Sequence, residues 1–204
     1  MTRHFFSYLA LGDSYTIAES LPLYESFPYQ LLQLLRKHNL HFHAPEIIAQ
    51  TGWTTFELAE HLLHTRLNDH YDFVTLLIGV NNQYRGLNSE DYKTDFEFLL
   101  KKALHLAGEK NNHVIVLSIP DWSVTPFAKN KDAAKITDEI NAYNAINKKI
   151  SGQHKVHYID ITPNTRLAEN DELLIAKDGL HPSAKAYQQW AIMIADVIQK
   201  ILKT

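Results

Sequence analysis

Along this chain, short apolar runs alternate with longer stretches in which apolar positions recur every three or four residues. The runs read as five strands: Phe5–Leu11, Glu46–Ala49, Phe73–Ile78, Val114–Ile119 and Val156–Ile161. Several are almost continuously apolar rather than alternating, the pattern of parallel strands covered on both faces.

Five helices are predicted between and after them. Pro28 suits the first turn of one that runs to His38 and carries Leu31, Leu32, Leu34 and Leu35. Thr54-x-x-Glu57 has the form of a capping box, opening a helix with Leu58, His61, Leu62 and Thr65 along one stripe. Ser89 is placed to cap the third, where Glu90 and Asp91 suit the positive end of the dipole. Phe96, Leu99, Leu100, Ala103 and Leu106 follow on that helix. The fourth carries Ile136, Ile140, Tyr143, Ile146 and Ile150, with Gly152 as its stop. The last carries Tyr187, Trp190, Ile194, Val197 and Ile201, with Pro182 expected in its first turn.

Alternating strands and helices predict an α/β fold: a five-stranded parallel sheet in a three-layer α/β/α sandwich, flavodoxin-like, with right-handed crossovers. The 204 residues contain no repeat, linker or low-complexity tract, so a single domain over 1–204 is expected.

Composition narrows the chemistry. A net charge of −3 gives no reason to expect nucleic acid or an anionic membrane as partner. The absence of cysteine excludes disulfides, thiol catalysis and thiolate zinc sites. No run approaches the roughly 18 apolar residues of a membrane span, so no integral membrane contact is expected. Met1–Leu11 leads directly into a Gly-Asp-Ser turn without the pattern of a secretory signal, and a cytoplasmic location is the expectation.

Two motifs near opposite ends carry candidate chemistry: Gly12-Asp13-Ser14-Tyr15 and Asp178-Gly-Leu-His181-Pro182. A serine hydroxyl becomes a nucleophile when a base takes its proton and a third group orients that base. His181 and Asp178 can supply both from one short loop. In an open α/β sheet, ligands bind at the carboxyl ends of the strands. The residues following the predicted strands are Gly12-Asp13-Ser14, Gln50-Thr51-Gly52-Trp53, Gly79-Val80-Asn81-Asn82 and Pro120-Asp121-Trp122.

Taken together, these blocks resemble the SGNH hydrolase family, the GDSL esterases and lipases. Gly12-Asp13-Ser14 matches the first block, Gly52 the second, Gly79-x-Asn81 the third and Asp178-x-x-His181 the last. The resemblance implies a catalytic set of Ser14, Asp178 and His181. It also implies an oxyanion hole from the N–H groups of Ser14 and Gly52 and the side-chain amide of Asn81. Two positions depart from the pattern: Tyr15 stands where the eponymous leucine would, and Asn82 where the family usually has aspartate. The second departure bears on how Asn81 is positioned.

The expected activity is hydrolysis of a lipid-like or small acyl ester through an acyl-enzyme on Ser14, without metal or organic cofactor. Carbohydrate O-deacetylation and thioester hydrolysis use the same machinery. A reading from another class is a flavodoxin-like nucleotide or flavin module, which the Asp13 carboxylate opposes. Trp53, Tyr84 and Trp122 are candidate pocket residues, while Trp190 is placed in the core. Arg85 reads equally as a pocket residue or a solvated one. The apolar stretch 118–127 reads either as a wall over the site or, through Val124 and Phe127, as core. His41-x-His43 and His61-x-x-His64 have spacings that put two imidazoles near each other, but neither has an obvious third ligand and no metal site is expected.

Overall fold

The structure is a computed structural model that describes residues 4–203. Met1, Thr2 and Arg3 of the N-terminal segment considered above lie outside the described residues, as does Thr204. In chain order the elements are β1 (Tyr8–Asp13), α1 (Ser14–Ile17), α2 (Phe27–Lys37), β2 (Glu46–Gln50), α3 (Thr55–His64), β3 (Phe73–Leu77), α4 (Val80–Tyr84) and α5 (Ser89–Leu106). They continue with β4 (Val114–Leu117), α6 (Ala133–Gln153), β5 (His157–Ile159), α7 (Thr162–Arg166) and α8 (Ala184–Lys203). Short 3₁₀ turns lie between several of them.

The five strands form one parallel sheet in the order β2-β1-β3-β4-β5, as the flavodoxin-like expectation requires. The chain moves one way from β1 to β2 and the other way in every later step. Right-handed crossovers therefore put α2 on the face opposite α3, α5 and α6. The packing agrees: α2 lies against α8, whereas α5 packs against both α3 and α6. The central strands β1, β3 and β4 are buried throughout, and the edge strands β2 and β5 only in part. Continuous apolar runs thus mark the middle of the sheet. No helix among the described residues is long and apolar enough to cross a membrane.

Several element ends differ from expectation for identifiable reasons. The first strand begins at Tyr8 and extends to Asp13, because Gly12 and Asp13 stay in register with Ala49 and Gln50; Phe6 makes only an isolated bridge to Phe42. The fourth strand ends at Leu117, where Asn144 of α6 takes over: its side chain binds both N–H and carbonyl of Ile119, at 2.8 and 3.1 Å. The third helix of the prediction is capped by Asn88 rather than Ser89, its side-chain Oδ1 accepting the Glu90 N–H at 2.8 Å.

Gly152 does not stop α6. The helix runs on to Gln153 and closes in a Schellman motif, with Lys155 at φ 56°, Lys155 N–H on Gly152 O and Val156 N–H on Ser151 O. Pro182 lies outside α8, in an antiparallel bridge with Ile175, and the helix starts at Ala184. That bridge ties the Asp178–His181 loop to the segment before it.

Candidate active site

Ser14 is the first residue of α1, directly beyond the end of β1. Asp13 caps this short helix by accepting the Tyr15 N–H at 3.0 Å. Gly12 is required by close approach rather than by its dihedrals: a Cβ there would fall 2.6 Å from the Leu77 carbonyl oxygen and collide with Thr16. The sheet and helix pinch together at this point, which aims Ser14 over the carboxyl edge.

The loop before α8 brings His181 to it. Asp178 builds that loop with one oxygen, Oδ1 accepting the N–H groups of Leu180 and His181 at 2.9 and 3.0 Å. Its other oxygen lies 2.6 Å from His181 Nδ1, and His181 Nε2 lies 2.9 Å from Ser14 Oγ. An ionised carboxylate only accepts, so the ring hydrogen sits on Nδ1 and the Nε2 lone pair faces the serine hydroxyl. Partial burial pushes the Asp178 carboxyl up, but hydrogen bonds from His181, Leu180 and Ser20 outweigh it and hold it down at about 2. The Ser20 hydroxyl, 2.7 Å from Asp178 Oδ2, has no signal in the sequence, since its partner lies 158 residues on. The Tyr15 ring rests on the His181 ring with centroids 4.8 Å apart.

Gly52 and Asn81 stand at the ends of β2 and β3. Gly52 adopts φ 82°, a conformation that L side chains rarely take. Its carbonyl accepts Arg85 Nη2–H at 2.5 Å, while Arg85 Nη1 pairs with Glu57 at 3.2 Å. Glu57 is itself committed: it closes the expected capping box, accepting the Thr54 N–H at 2.7 Å. Asn81 Nδ2 donates to the Trp53 carbonyl at 2.9 Å and lies 3.5 Å from Asp13 Oδ2. Asn82, in the place of the family's aspartate, accepts the Thr55 N–H at 3.0 Å and donates to Thr55 Oγ1 at 2.8 Å, pinning the start of α3 to the Asn81 turn.

Ser14, Gly52, Asn81 and His181 share the wall of a cleft of about 150 Å³, completed by Tyr15, Thr51, Val80, Tyr84, Trp122, Phe127 and Leu180. Tyr84 and Trp122 are therefore at the cleft, as expected for candidate pocket residues. Trp53 is not: its ring lies on His61, centroids 4.7 Å apart, and its backbone carbonyl rather than its indole serves the site. The 118–127 stretch divides. Phe127 faces the cleft, its N–H bonded to Gly179 O at 3.0 Å, whereas Val124 packs with Ala168, Leu174 and Ala186. His41 and His43 flank Phe5, and no group of three potential metal ligands occurs among the described residues. Asp13 is almost fully buried, and burial pushes its carboxyl up to about 7 despite the Tyr15 N–H.

The fold has solved counterparts. An acetylxylan esterase from Geobacillus stearothermophilus superposes with a TM-score of 0.74 at 16% identity, covering 97% of this chain and 96% of that one. A psychrotrophic esterase from a Pseudoalteromonas species gives 0.70 at 19%, with 97% and 99% covered. A member of the lipolytic protein G-D-S-L family from Veillonella parvula gives 0.70 at 18%, with 95% and 98% covered. No curated protein sequence matches the chain. Residues 10–189, most of its length, match the GDSL-like lipase/acylhydrolase family. The chain belongs to that family and is a serine hydrolase acting on ester bonds.

Proposed function

We propose that this protein hydrolyses carboxylic esters of apolar acyl groups through an acyl-enzyme on Ser14. The observation that carries the reading is the unbroken chain from Asp178 through His181 to Ser14 Oγ, opening on an apolar cleft. Ser14 Oγ bonds to the acyl carbon as its proton passes to His181 Nε2, and the carbonyl oxygen takes up the negative charge. Asp178 stabilises the imidazolium formed. The N–H groups of Ser14 and Gly52 and the Asn81 amide receive the oxyanion, each such donor being worth roughly 2.7–4 kcal/mol in the transition state. Collapse breaks the acyl–oxygen bond, and the leaving alcohol departs with the His181 proton. Water then repeats the sequence in reverse, His181 taking its proton, and the acid is released. No step calls for a metal or organic cofactor. The cleft's aromatic and aliphatic wall suits a hydrocarbon acyl group, and the buried Asp13 disfavours a nucleotide phosphate at the end of β1.

A fluorophosphonate probe tests the assignment. Wild-type protein should gain one adduct on Ser14 and turn over p-nitrophenyl butanoate, and Ser14→Ala should do neither. Labelling that persists in Ser14→Ala, or wild-type protein inert to both reagents, overturns the reading.

A further inference from the structure

The cleft beside Ser14 backs onto a second, inner chamber, and the two share a wall. The inner chamber measures about 20 Å³ and reaches in to Trp190. Tyr15, Trp122, Leu180 and His181 line both spaces. The sizes decide what each can hold. The cleft opens to solvent on its other side, so its volume of about 150 Å³, room for about six carbon atoms, bounds only a chain that runs inward to the partition. Beyond the partition, about 20 Å³ is room for roughly one water. We propose that the partition of Tyr15, Trp122 and Leu180 sets the length of the acyl group, making the substrate an ester of a short carboxylic acid. This deepens the proposed function and rests on Ser14 as its nucleophile.

The wall is built to stay in place. The Trp122 indole N–H donates to Gln83 Oε1 at 2.8 Å, and the Gln83 amide donates to Glu139 at 2.8 Å. The Trp122 ring meets Tyr84 and Phe127 edge-on, at 5.5 and 5.8 Å between centroids. Swinging it aside would leave the buried Gln83 Oε1 without its donor, a cost of about 1–3 kcal/mol. Next to it in the chain, Asp121 is anchored by Arg166 at 2.9 Å and Thr137 at 3.0 Å. Leu180 is carried by the Asp178 loop, whose carboxylate holds its N–H. Tyr15 thickens the partition where the family's leucine would leave a smaller side chain. In this proposal the acyl group lies along the wall, which leaves the open side of the cleft for the alcohol to depart and for water to enter before deacylation.

The test is the chain-length profile of kcat/KM. One series varies the acid of p-nitrophenyl esters from acetate to decanoate; a second holds butanoate and varies the alcohol over the same lengths. Wild type should sustain its rate to about hexanoate, then fall by about tenfold or more with further chain, the order of discrimination that one misfitting methylene brings. Trp122→Ala and Leu180→Ala should each raise the decanoate-to-butanoate ratio by about tenfold or more, with the slope of the alcohol series unmoved. Trp122→Phe, a smaller change, should shift the ratio in the same direction and covers the case in which Trp122→Ala does not fold. A wild-type rate that climbs through decanoate overturns the proposal. So do folded variants with the wild-type ratio, or a shift seen in the alcohol series instead. Fluorophosphonate labelling of the same samples separates the failures: labelled enzyme with an unmoved profile defeats the partition alone, and unlabelled wild type defeats the nucleophile as well.

Discussion

Asp178 and Arg85 show how much of this site consists of side chains that hold other groups still. Asp178 spends one oxygen on loop N–H groups and the other on His181 and Ser20. Arg85 uses two nitrogens of its fork, one on the Gly52 carbonyl and one on Glu57. The Gly52–Trp53 segment is thus gripped at both carbonyls, by Arg85 and by Asn81. The guanidinium is therefore a positioning residue for the proposed oxyanion hole. Arg85→Ala should lower kcat about tenfold, less than the 10²–10³ lost with a donor itself, and leave KM within about a factor of two. Arg85→Lys should recover little, because an ammonium cannot span both partners as a planar fork does. Steady-state kinetics check this; a raised KM at unchanged kcat would instead place Arg85 against the substrate. The convergence of Ser14, Asp178 and His181 was legible in the sequence because each sits in a short motif. Arg85 was not, because its meaning lies in a carbonyl 33 residues away.

At the level of elements, periodicity located every long helix and all five strands, while their ends answered to partners distant in sequence. The helices α4 and α7, five residues each, are too short to show a period. Ile146 was expected on the buried stripe of α6, yet Asn147 takes the fully buried place, bonded to Tyr92, Tyr158 and Asn144. A polar side chain buried this way is invisible to an apolar count. The Asn82 departure is of the same kind. Its amide donates to Thr55 Oγ1, and the Thr55 hydroxyl donates onward to Asp95 at 3.2 Å. Aspartate at 82 could not donate, so two carboxylates would compete for one hydroxyl hydrogen, and burial already pushes Asp95 up. Asn82→Asp should cost about 1–2 kcal/mol of stability near neutral pH, and Asp95→Asn in that background should restore most of it. Urea unfolding of the two single variants and the double variant measures the coupling; additive losses would show that the Thr55 relay does not link them.

For the molecule as a whole, the strand order turns chain position into a site. The chain reverses direction at β1, so the carboxyl ends of β2, β1 and β3 bring Gly52, Ser14 and Asn81 together, and the loop before α8 adds His181, the proposed base. The same convergence buries Asp13 beside the site, with a consequence for stability against pH. Burial raises its carboxyl to about 7, so the folded chain binds this proton more tightly than the unfolded chain does. Its stabilising contribution is then complete below about pH 4 and is lost as pH rises through about 7. Asp178 works in the opposite sense, its contribution present above about pH 4 and lost only as pH falls through about 2, so it is flat near neutrality. His157, lowered by burial and by the nearby His113, adds stability with rising pH and masks part of the Asp13 trend. Removing one group separates them. Asparagine at 13 keeps the oxygen that accepts the Tyr15 N–H and cannot ionise. The stability of Asp13→Asn relative to wild type should therefore increase between pH 5 and pH 8 by on the order of 2 kcal/mol, read from urea midpoints at both values. An unchanged difference across that window would mean that Asp13 ionises in the folded protein as easily as in the unfolded chain, and that its burial beside Ser14 carries no electrostatic cost.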